Sequence, residues 1–275
     1  MDHSAISLTH PEASSQAAAS QADQRMIRLV DLCKRLGRKQ VLDGAHLDIT
    51  KGETHVVLGR SGEGKSVLLK HIIGLMQPDR GEVWIDGENV TGKSDRDLYP
   101  VRKKIGMLFQ NAALFDSMTV LHNVGFSLYE EKVESEEEIR KRVQETLEMV
   151  RLGDVLEKMP SELSGGMRKR VGLARAIILR PKIILYDEPT TGLDPVTSDA
   201  INELIISLSK QLQATSVVIT HDMTSAFKIA DRFSFLFKGE FIFTGSKDDI
   251  LNTDDPIIQQ FIQGKSEGPL SEVGT

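Results

Sequence analysis

Eight consecutive residues in the first quarter of the chain have the composition of a phosphate-binding loop. Residues 59–66 read GRSGEGKS, which fits the spacing G-x-x-x-x-G-K-[ST]. The glycines let successive backbone N–H groups turn toward an anion, and a helix starting near Lys65 adds its positive N-terminal end. The Lys65 ammonium can pair with the β- and γ-phosphates, and the Ser66 hydroxyl is a hard oxygen ligand for Mg²⁺. A chance glycine-rich turn is the alternative, but the flanking strand and helix favour a nucleotide-binding loop.

Two adjacent carboxylates at the end of an apolar strand predict hydrolytic chemistry. Residues 183–188 read IILYDE, so Asp187 ends the strand and can hold Mg²⁺ through water. Glu188 lies one residue further and points elsewhere, where it can orient or deprotonate an attacking water. Two acids after a strand are often only solvated. Together with a phosphate loop, they predict a hydrolysis centre.

A second group of backbone donors precedes a helix rich in Arg and Lys. Residues 163–167 read LSGGM, and Ser164, Gly165 and Gly166 would present N–H groups at a helix N-terminus. Taken alone, this pentapeptide is equally compatible with an ordinary loop and helix cap.

Strands that alternate with helices predict an α/β fold with a mainly parallel sheet. Strand patterns cover residues 26–32, 45–50, 54–58, 82–87, 104–109, 182–187, 215–220, 233–237 and 240–245. Helical spacing covers residues 67–76, 136–152, 165–180 and 196–213. We expect a turn-rich connector at residues 36–44 and an antiparallel β layer formed by the early strands. Strand signals fade between about residues 110 and 165, which predicts a separate helical subdomain.

Composition narrows the class of protein. The 275 residues include 34 Lys and Arg against 40 Asp and Glu, for a net charge of −6, so no general attraction to nucleic acid is indicated. No apolar run approaches the roughly 18 residues of a membrane span, so another chain would have to cross any membrane on which this protein works. The single cysteine, Cys33, cannot form an internal disulfide or a zinc cluster alone.

The two ends of the chain differ from the middle. Residues 1–25 lack the features of a secretory signal or transit peptide, and their Ala, Ser and Gln predict a disordered tail, with a short partner-binding helix as the alternative. Residues 26–245 form the expected main domain. Residues 246–275 are expected to be an extension that is helical at first and loose after Pro269.

The motifs taken in order resemble those of ABC-type ATPases. LSGGM resembles the family signature LSGGQ, with Met167 in the usual Gln place. Gln110 resembles the Q-loop glutamine, residues 192–194 (GLD) the D-loop, and His221 the switch histidine, while Arg175 also fits the family pattern. The resemblance covers about residues 26–245. It implies a P-loop cassette with a RecA-like core, an antiparallel β layer and a helical subdomain.

The family resemblance also implies how the residues act. Two cassettes would pack head to tail as a homodimer, with each ATP between one phosphate loop and the partner's signature. Catalytic roles fall to Glu188, His221 and Gln110, and Mg²⁺ binding to Ser66, Gln110 and Asp187. The implied ATP contacts are Gly59, Arg60, Ser61, Gly62, Glu63, Gly64, Lys65, Ser66, Val67, Ser164, Gly165, Gly166 and Asp194. One departure is Leu36, which stands where the family usually stacks an aromatic ring on adenine.

Two further stretches indicate a subfamily. Residues 97–124, which include LYPVRKKIGMLFQNAALF, and residues 254–269 resemble the ATPases of Mla (MCE-linked) phospholipid transport systems. That implies an ATPase on the cytoplasmic face of the inner membrane, peripheral to an MlaE-like permease and an MlaD-like MCE protein. A further partner of such systems is an MlaB-like STAS-domain protein. Residues 113–115 would belong either to the helical core or to a permease-coupling groove, and the tail would either wrap the other protomer or be disordered.

The sequence also bears on functions other than phospholipid transport. An ABC ATPase subunit for another small solute would use the same motifs, and only the two stretches above distinguish it. An ABC-type ATPase acting on DNA or the ribosome would usually show tandem cassettes, long coiled coils, zinc cysteines or basic arms, which this sequence lacks. A stand-alone P-loop kinase would have no use for LSGGM.

Overall fold

The computed structural model describes residues 24–272, which form two β-sheets with helices around them. The expected disordered tail of residues 1–25 lies almost wholly outside the described residues, and Arg25 already begins the first strand. Among the described residues, no helix combines the length and apolar character needed to cross a bilayer.

The smaller sheet is the antiparallel layer that the early strands predict. It contains β1 (Arg25–Leu36), β2 (Lys39–Thr50), β4 (Arg80–Ile85) and β5 (Glu88–Asn89), in the order β2-β1-β4-β5. The turn-rich connector predicted at residues 36–44 is wrong, because β1 and β2 form a hairpin that turns at residues 37–38. Val41 and Leu42 are buried, and this burial holds the segment in the sheet despite its polar neighbours.

The larger sheet is mainly parallel, as predicted. It contains β3 (Thr54–Leu58), β6 (Ile105–Leu108), β7 (Ile183–Asp187), β8 (Thr215–Ile219), β9 (Arg232–Phe237) and β10 (Glu240–Gly245). The strand order is β10-β9-β3-β8-β7-β6, and only the β9–β10 pairing is antiparallel. The carboxyl ends of β3, β7 and β8 therefore meet at one edge, which is where open α/β sheets bind ligands.

Helices cover both faces of the larger sheet and form the helical subdomain. They are α1 (Lys65–Ile72), α2 (Asp95–Arg102), α3 (Val120–Glu131), α4 (Glu136–Met149), α5 (Gly165–Ile177), α6 (Pro195–Leu212), α7 (Met223–Ile229), α8 (Lys247–Leu251), α9 (Pro256–Gln263) and α10 (Pro269–Glu272). Helices α3 and α4 lie in the segment without strand signals and bury Val124, Ile139, Val143 and Leu147. The helix predicted at residues 67–76 instead begins at Lys65 and ends at Ile72.

The core consists of two apolar clusters separated by the larger sheet. Alternate residues of β3 point to opposite faces of the larger sheet. Val56 and Leu58 belong to the cluster that the sheet forms with the helical subdomain, and Val57 belongs to the cluster between the two sheets. Each of these side chains has no exposed surface. The strand that leads into the phosphate loop is therefore fixed on both faces.

The C-terminal extension is more ordered than expected. The segment predicted to be loose after Pro269 begins with helix α10, and Leu270 in it is buried. The side chain of Gln260 on α9 accepts a hydrogen bond from Leu270 N at 2.7 Å and donates one to Ser271 Oγ at 3.1 Å. A buried amide that satisfies both polar atoms folds the chain back onto α9.

The first testable prediction concerns the contribution of the buried Asn123 to the stability of the fold. Asn123 accepts a hydrogen bond from Phe115 N at 2.8 Å and donates to the carbonyls of Phe115, Met118 and Thr119 at 2.9–3.1 Å. Asn123→Ala leaves these groups without their partner, so we expect a loss of about 1–3 kcal/mol in unfolding free energy, measured by urea denaturation. Gln144→Ala on the surface of α4 is the control and should change stability by less than about 0.5 kcal/mol. Equal stability of both variants would contradict this role of Asn123.

Candidate nucleotide site

The phosphate loop joins the end of β3 to the start of α1, and two of its glycines are sterically required. Gly59 has φ +151°, and a Cβ there would lie 2.5 Å from the Leu236 carbonyl oxygen. Gly64 has φ +102°, and its Cβ would lie 2.7 Å from Val41 Cγ1. Both conformations and both spaces suit only glycine. The loop therefore curls tightly between the two sheets, as the motif predicts.

Lys65, the lysine of the phosphate loop, is buried, and its ammonium group is hydrogen-bonded to the backbone of the same loop. Lys65 is 6% exposed, and its Nζ donates to the carbonyl oxygens of Gly59 at 2.6 Å and Arg60 at 2.9 Å. Burial lowers the pKa of the Lys65 ammonium, while the nearby carboxylates of Glu188 and Asp187 act in the opposite direction. The hydrogen bonds to the two loop carbonyls hold Lys65 Nζ within the anion-binding curl.

Hydroxyl and carboxylate oxygens meet beside the loop. Ser66 Oγ donates a hydrogen bond of 3.0 Å to Asp187 Oδ1. Burial raises the pKa of the Asp187 carboxyl, and the hydrogen bond from Ser66 acts against that rise. In the described part of the chain no three His, Cys, Asp or Glu side chains group as a metal would require. A cation here would depend on one carboxylate with hydroxyl, amide and water oxygens, a donor set that suits Mg²⁺.

The second carboxylate takes different partners. Glu188 has φ +50°, and this left-handed turn directs its side chain to His221, whose Nδ1 lies 2.9 Å from Glu188 Oε2. Thr191 Oγ1 donates to the same carboxylate oxygen at 3.1 Å. The Glu188 side chain is 13% exposed, whereas that of His221 is 62% exposed. The two adjacent acids therefore occupy separate environments, as their proposed roles require.

A cleft of about 760 Å³ brings much of the predicted site together. Predicted residues that line it are Arg60, Ser61, Gly62, Gly64, Lys65, Ser66, Val67, Gln110, Glu188 and His221. Leu36 lines the same cleft and is 42% exposed, beside Lys39 and Val41. That position suits an aliphatic contact to a base, and the adenine contact at Leu36 stays a prediction.

Four predicted ATP contacts lie away from this cleft. Ser164 caps α5 and accepts from Met167 N, while Asp194 caps α6, and both side chains face solvent with Gly165 and Gly166 near them. Neither helix start is among the residues that line the cleft. Glu63 also differs from the rest of the loop, because its carboxylate accepts from Lys238 N at 2.8 Å. Any contact of Glu63 with phosphate would therefore use its backbone. One chain does not assemble the full set of predicted contacts.

Sequence reasoning missed two contributions to the cleft from the C-terminal segment. Phe261 on α9 lines the cleft and packs edge-on against Phe235, with ring centroids 5.0 Å apart. Arg60 of the loop donates to the Leu270 carbonyl at 2.8 Å. No motif marks these residues, since their proximity to the loop arises only from the folded tail.

A third missed residue is a buried cation on α5. Lys169 is 5% exposed, and its Nζ donates to the backbone carbonyls of Gln110 and of Glu188, the latter at 3.1 Å. The sequence offered one signal, a lysine one turn after Gly165 on a helix with a small-residue face. Because the same helix carries several other Arg and Lys residues, that signal does not distinguish Lys169 from them.

Comparison with known proteins agrees with this geometry. Residues 42–191 match the family model described as ABC transporter. The chain is 42% identical over 258 residues to a probable ribonucleotide transport ATP-binding protein, mkl, of Mycobacterium leprae, covering 92% of this chain and 74% of mkl. It is 40% identical over 248 residues to the intermembrane phospholipid transport system ATP-binding protein MlaF of Haemophilus influenzae, covering 90% of this chain and 94% of MlaF.

A solved structure shows the same architecture. The dimeric, post-hydrolysis structure of the ATP-binding cassette MJ0796 bound to ADP and Pi superposes with a TM-score of 0.75 at 36% identity. The match covers 80% of this chain and 98% of MJ0796. The cassette fold and the family resemblance expected from the motifs are thereby confirmed. The chain belongs to the ABC transporter family and is an ATP-binding cassette that hydrolyses ATP.

Proposed function

We propose that this chain is the ATP-hydrolysing subunit of a membrane transporter that moves phospholipids. The observation that carries the proposal is the similarity to MlaF, which covers 90% of this chain and 94% of MlaF and so extends beyond the part that the family model matches. The subunit would act at the cytoplasmic face of the inner membrane, where its transport would supply outer-membrane lipid or maintain its asymmetry.

In the proposed reaction, the groups at the cleft have distinct tasks. The loop N–H groups and Lys65 bind the phosphates, and Glu188 orients the attacking water and accepts its proton. His221 holds the Glu188 carboxylate through the contact at 2.9 Å and contacts the γ-phosphate. Mg²⁺, when bound, would be held by Ser66, Asp187 and Gln110, and would neutralise charge on the β- and γ-phosphates.

The proposed active unit is a homodimer. Ser164 and Asp194 are exposed, Gly165 and Gly166 are half-buried, and all four lie outside the cleft of their own chain, so a second copy would supply these groups to the nucleotide. The dimeric structure of MJ0796 supports this arrangement. In it, ATP would close the two copies and hydrolysis would reopen them, because only the closed form completes both sites.

A second groove, separate from the nucleotide cleft, supports the proposal that the chain binds a membrane partner. A groove of about 620 Å³ is lined by Tyr99, Ala113, Phe115, Phe126 and Arg175, among others. Tyr99 is 55% exposed and Phe115 is 43% exposed, and both rings line this one groove, so together they form an apolar patch of the kind that marks interaction sites. Leu114 packs against the helical core, whereas Ala113 and Phe115 line the groove, which supports the permease-coupling alternative for those two residues.

We propose that a short cytoplasmic helix of an MlaE-like permease occupies this groove. An MlaD-like MCE protein would complete the transporter, and an MlaB-like STAS-domain protein would bind the ATPase. The similarity to MlaF, an ATP-binding protein of an intermembrane phospholipid transport system, supports these partners.

A second candidate function is transport of a small soluble solute. It is favoured by the similarity to mkl, which carries the description of a probable ribonucleotide transport protein and covers slightly more of this chain. The same cleft and groove would serve such a transporter.

Purification from native membranes separates the two candidates. The tagged chain is extracted in mild detergent, and the bound proteins and lipids are identified by mass spectrometry. A permease, an MCE-type protein and phospholipid would support the proposed function. A permease with a soluble solute-binding protein would support the second candidate, and ribosomes or DNA without a membrane protein would refute both.

The catalytic role of Glu188 gives the second prediction. Glu188→Gln keeps the shape of the side chain but removes the base, so we expect kcat to fall by about 100-fold or more. ATP should still bind, and the dimer should accumulate in gel filtration with ATP and Mg²⁺. Glu145→Gln on the exposed side of α4 is the matched control. Turnover by Glu188→Gln near the wild-type rate would remove Glu188 from catalysis.

The groove gives the third prediction. Tyr99→Ser with Phe115→Ser removes two exposed rings, so recovery of the permease should fall by about tenfold or more. The ATPase rate of the isolated chain should stay within about twofold, because neither ring lines the nucleotide cleft. Val133→Ser is the control, since Val133 is 82% exposed and lies outside the groove. Unchanged permease recovery would argue against this docking surface.

A further inference from the structure

Helix α5 carries a buried positive charge that reaches the two sides of the cleft. Lys169 donates to the carbonyl of Gln110, at the end of the β6 segment, and to the carbonyl of Glu188, after β7. A lysine that is only 5% exposed is rare, because removing an ammonium from water is costly unless its hydrogen bonds are made. Here the two carbonyls supply those bonds, and each belongs to a residue with a proposed role in hydrolysis.

Of the two carbonyls that Lys169 contacts, that of Glu188 belongs to a strained residue, and that of Gln110 lies just before a strained segment. Glu188 has φ +50°, and Ala112 and Ala113, just after Gln110, have φ +59° and +47°. Such left-handed conformations cost a non-glycine residue free energy and persist only where neighbouring groups hold them. At Glu188, Lys169 holds the carbonyl, and Glu188 N donates to Ile219 O at 2.9 Å.

A second cation of the same helix holds the other strained segment. Arg175 donates to the carbonyls of Ala112 at 2.7 Å and Ala113 at 2.8 Å. Lys169 and Arg175 therefore attach one rigid helix to both the Gln110 segment and the Glu188 turn. Burial lowers the pKa of the Lys169 ammonium, whereas the carboxylates of Glu188 and Asp187 favour its charged form.

The N-terminal end of helix α5 is the signature segment, residues 163–167. α5 begins at Gly165, capped by Ser164, and Lys169 follows Gly165 by one helical turn. In the proposed dimer, this start would contact the γ-phosphate of the partner's ATP. The same helix would then touch the partner's site at its start and its own catalytic residues at Lys169.

We propose that Lys169 is a positioning residue that couples the two composite ATP sites. Contact of the α5 start with the partner's nucleotide sets the position of the helix, and Lys169 transmits that position to Gln110 and Glu188 of its own chain. Hydrolysis at one site thereby depends on the nucleotide at the other. This inference rests on the function proposed above, since it requires the dimer and the catalytic role of Glu188.

Variants at Lys169 separate positioning from simple packing. Lys169→Met keeps an unbranched side chain up to the position of Cε but lacks the ammonium group and its hydrogen bonds, so we expect kcat to fall by about tenfold or more with nucleotide affinity within about threefold. The Hill coefficient for ATP should fall from the wild-type value toward 1. Lys169→Arg should keep kcat within about threefold of wild type, because arginine retains a positive charge and N–H donors. Lys141→Met, at an exposed lysine of α4, is the control.

A second variant covers the case in which Lys169→Met does not fold, which thermal melting detects. Lys169→Gln is one bond shorter and neutral, so it cannot hold both carbonyls as lysine does, and it should still lose several-fold in kcat and lower the Hill coefficient. Wild-type kcat and Hill coefficient in the folded Met or Gln variant would overturn the proposal, as would a wild-type Hill coefficient of 1.

The Glu188→Gln variant keeps the two hypotheses distinguishable. If Glu188→Gln hydrolyses ATP at the wild-type rate, the proposed catalytic role of Glu188 fails, regardless of the results for the Lys169 variants. If Glu188→Gln is inactive while the folded Lys169 variants behave as wild type, the catalytic assignment stands and the coupling proposal alone fails.

Discussion

The hydrogen bond from Ser66 to Asp187 joins two residues that lie 121 positions apart, and the nucleotide site depends on the arrangement that makes it possible. β3 and β7 flank β8 in the parallel sheet, so the loop that starts α1 and the carboxylate that ends β7 emerge at one edge. Apolar packing on both faces of these strands fixes the edge, since Val56, Val57 and Leu185 are fully buried. The chemistry of the site is thus set by strand order and by core packing.

A single backbone feature separates the environments of the two adjacent acids, Asp187 and Glu188. Side chains of neighbouring residues in a regular strand point to opposite faces, but a left-handed turn at Glu188 also changes the direction of the chain. Asp187 stays beside Ser66, while Glu188 contacts His221 and Thr191. The cost of this conformation is offset by the hydrogen bond that Glu188 N donates to Ile219 O at the end of β8 and by the one that Lys169 donates to the Glu188 carbonyl. The geometry of the Glu188 carboxylate therefore depends on groups distant in sequence.

The motif residues of the cleft could be predicted from sequence because their chemistry is local. A loop that curls around phosphate needs glycine at Gly59 and Gly64, and this need appears directly in the spacing. The hairpin of β1 and β2 was missed because its polar residues suggest a turn, whereas burial of Val41 and Leu42 decides the structure. Lys169 and Phe261 could not be predicted, since a lysine or phenylalanine on a helix acquires its role only from tertiary packing.

The C-terminal segment shows how far the cleft reaches beyond the motifs. The family model ends at residue 191, yet Phe261 lines the cleft and the Leu270 carbonyl accepts a hydrogen bond from Arg60 in the phosphate loop. Gln260 holds the turn that brings Leu270 there, and Phe261 is held by Phe235 on β9. A change in this segment would therefore move a wall of the cleft and a partner of the loop. The shape of this cleft therefore depends on residues that lie outside both the motifs and the matched family region.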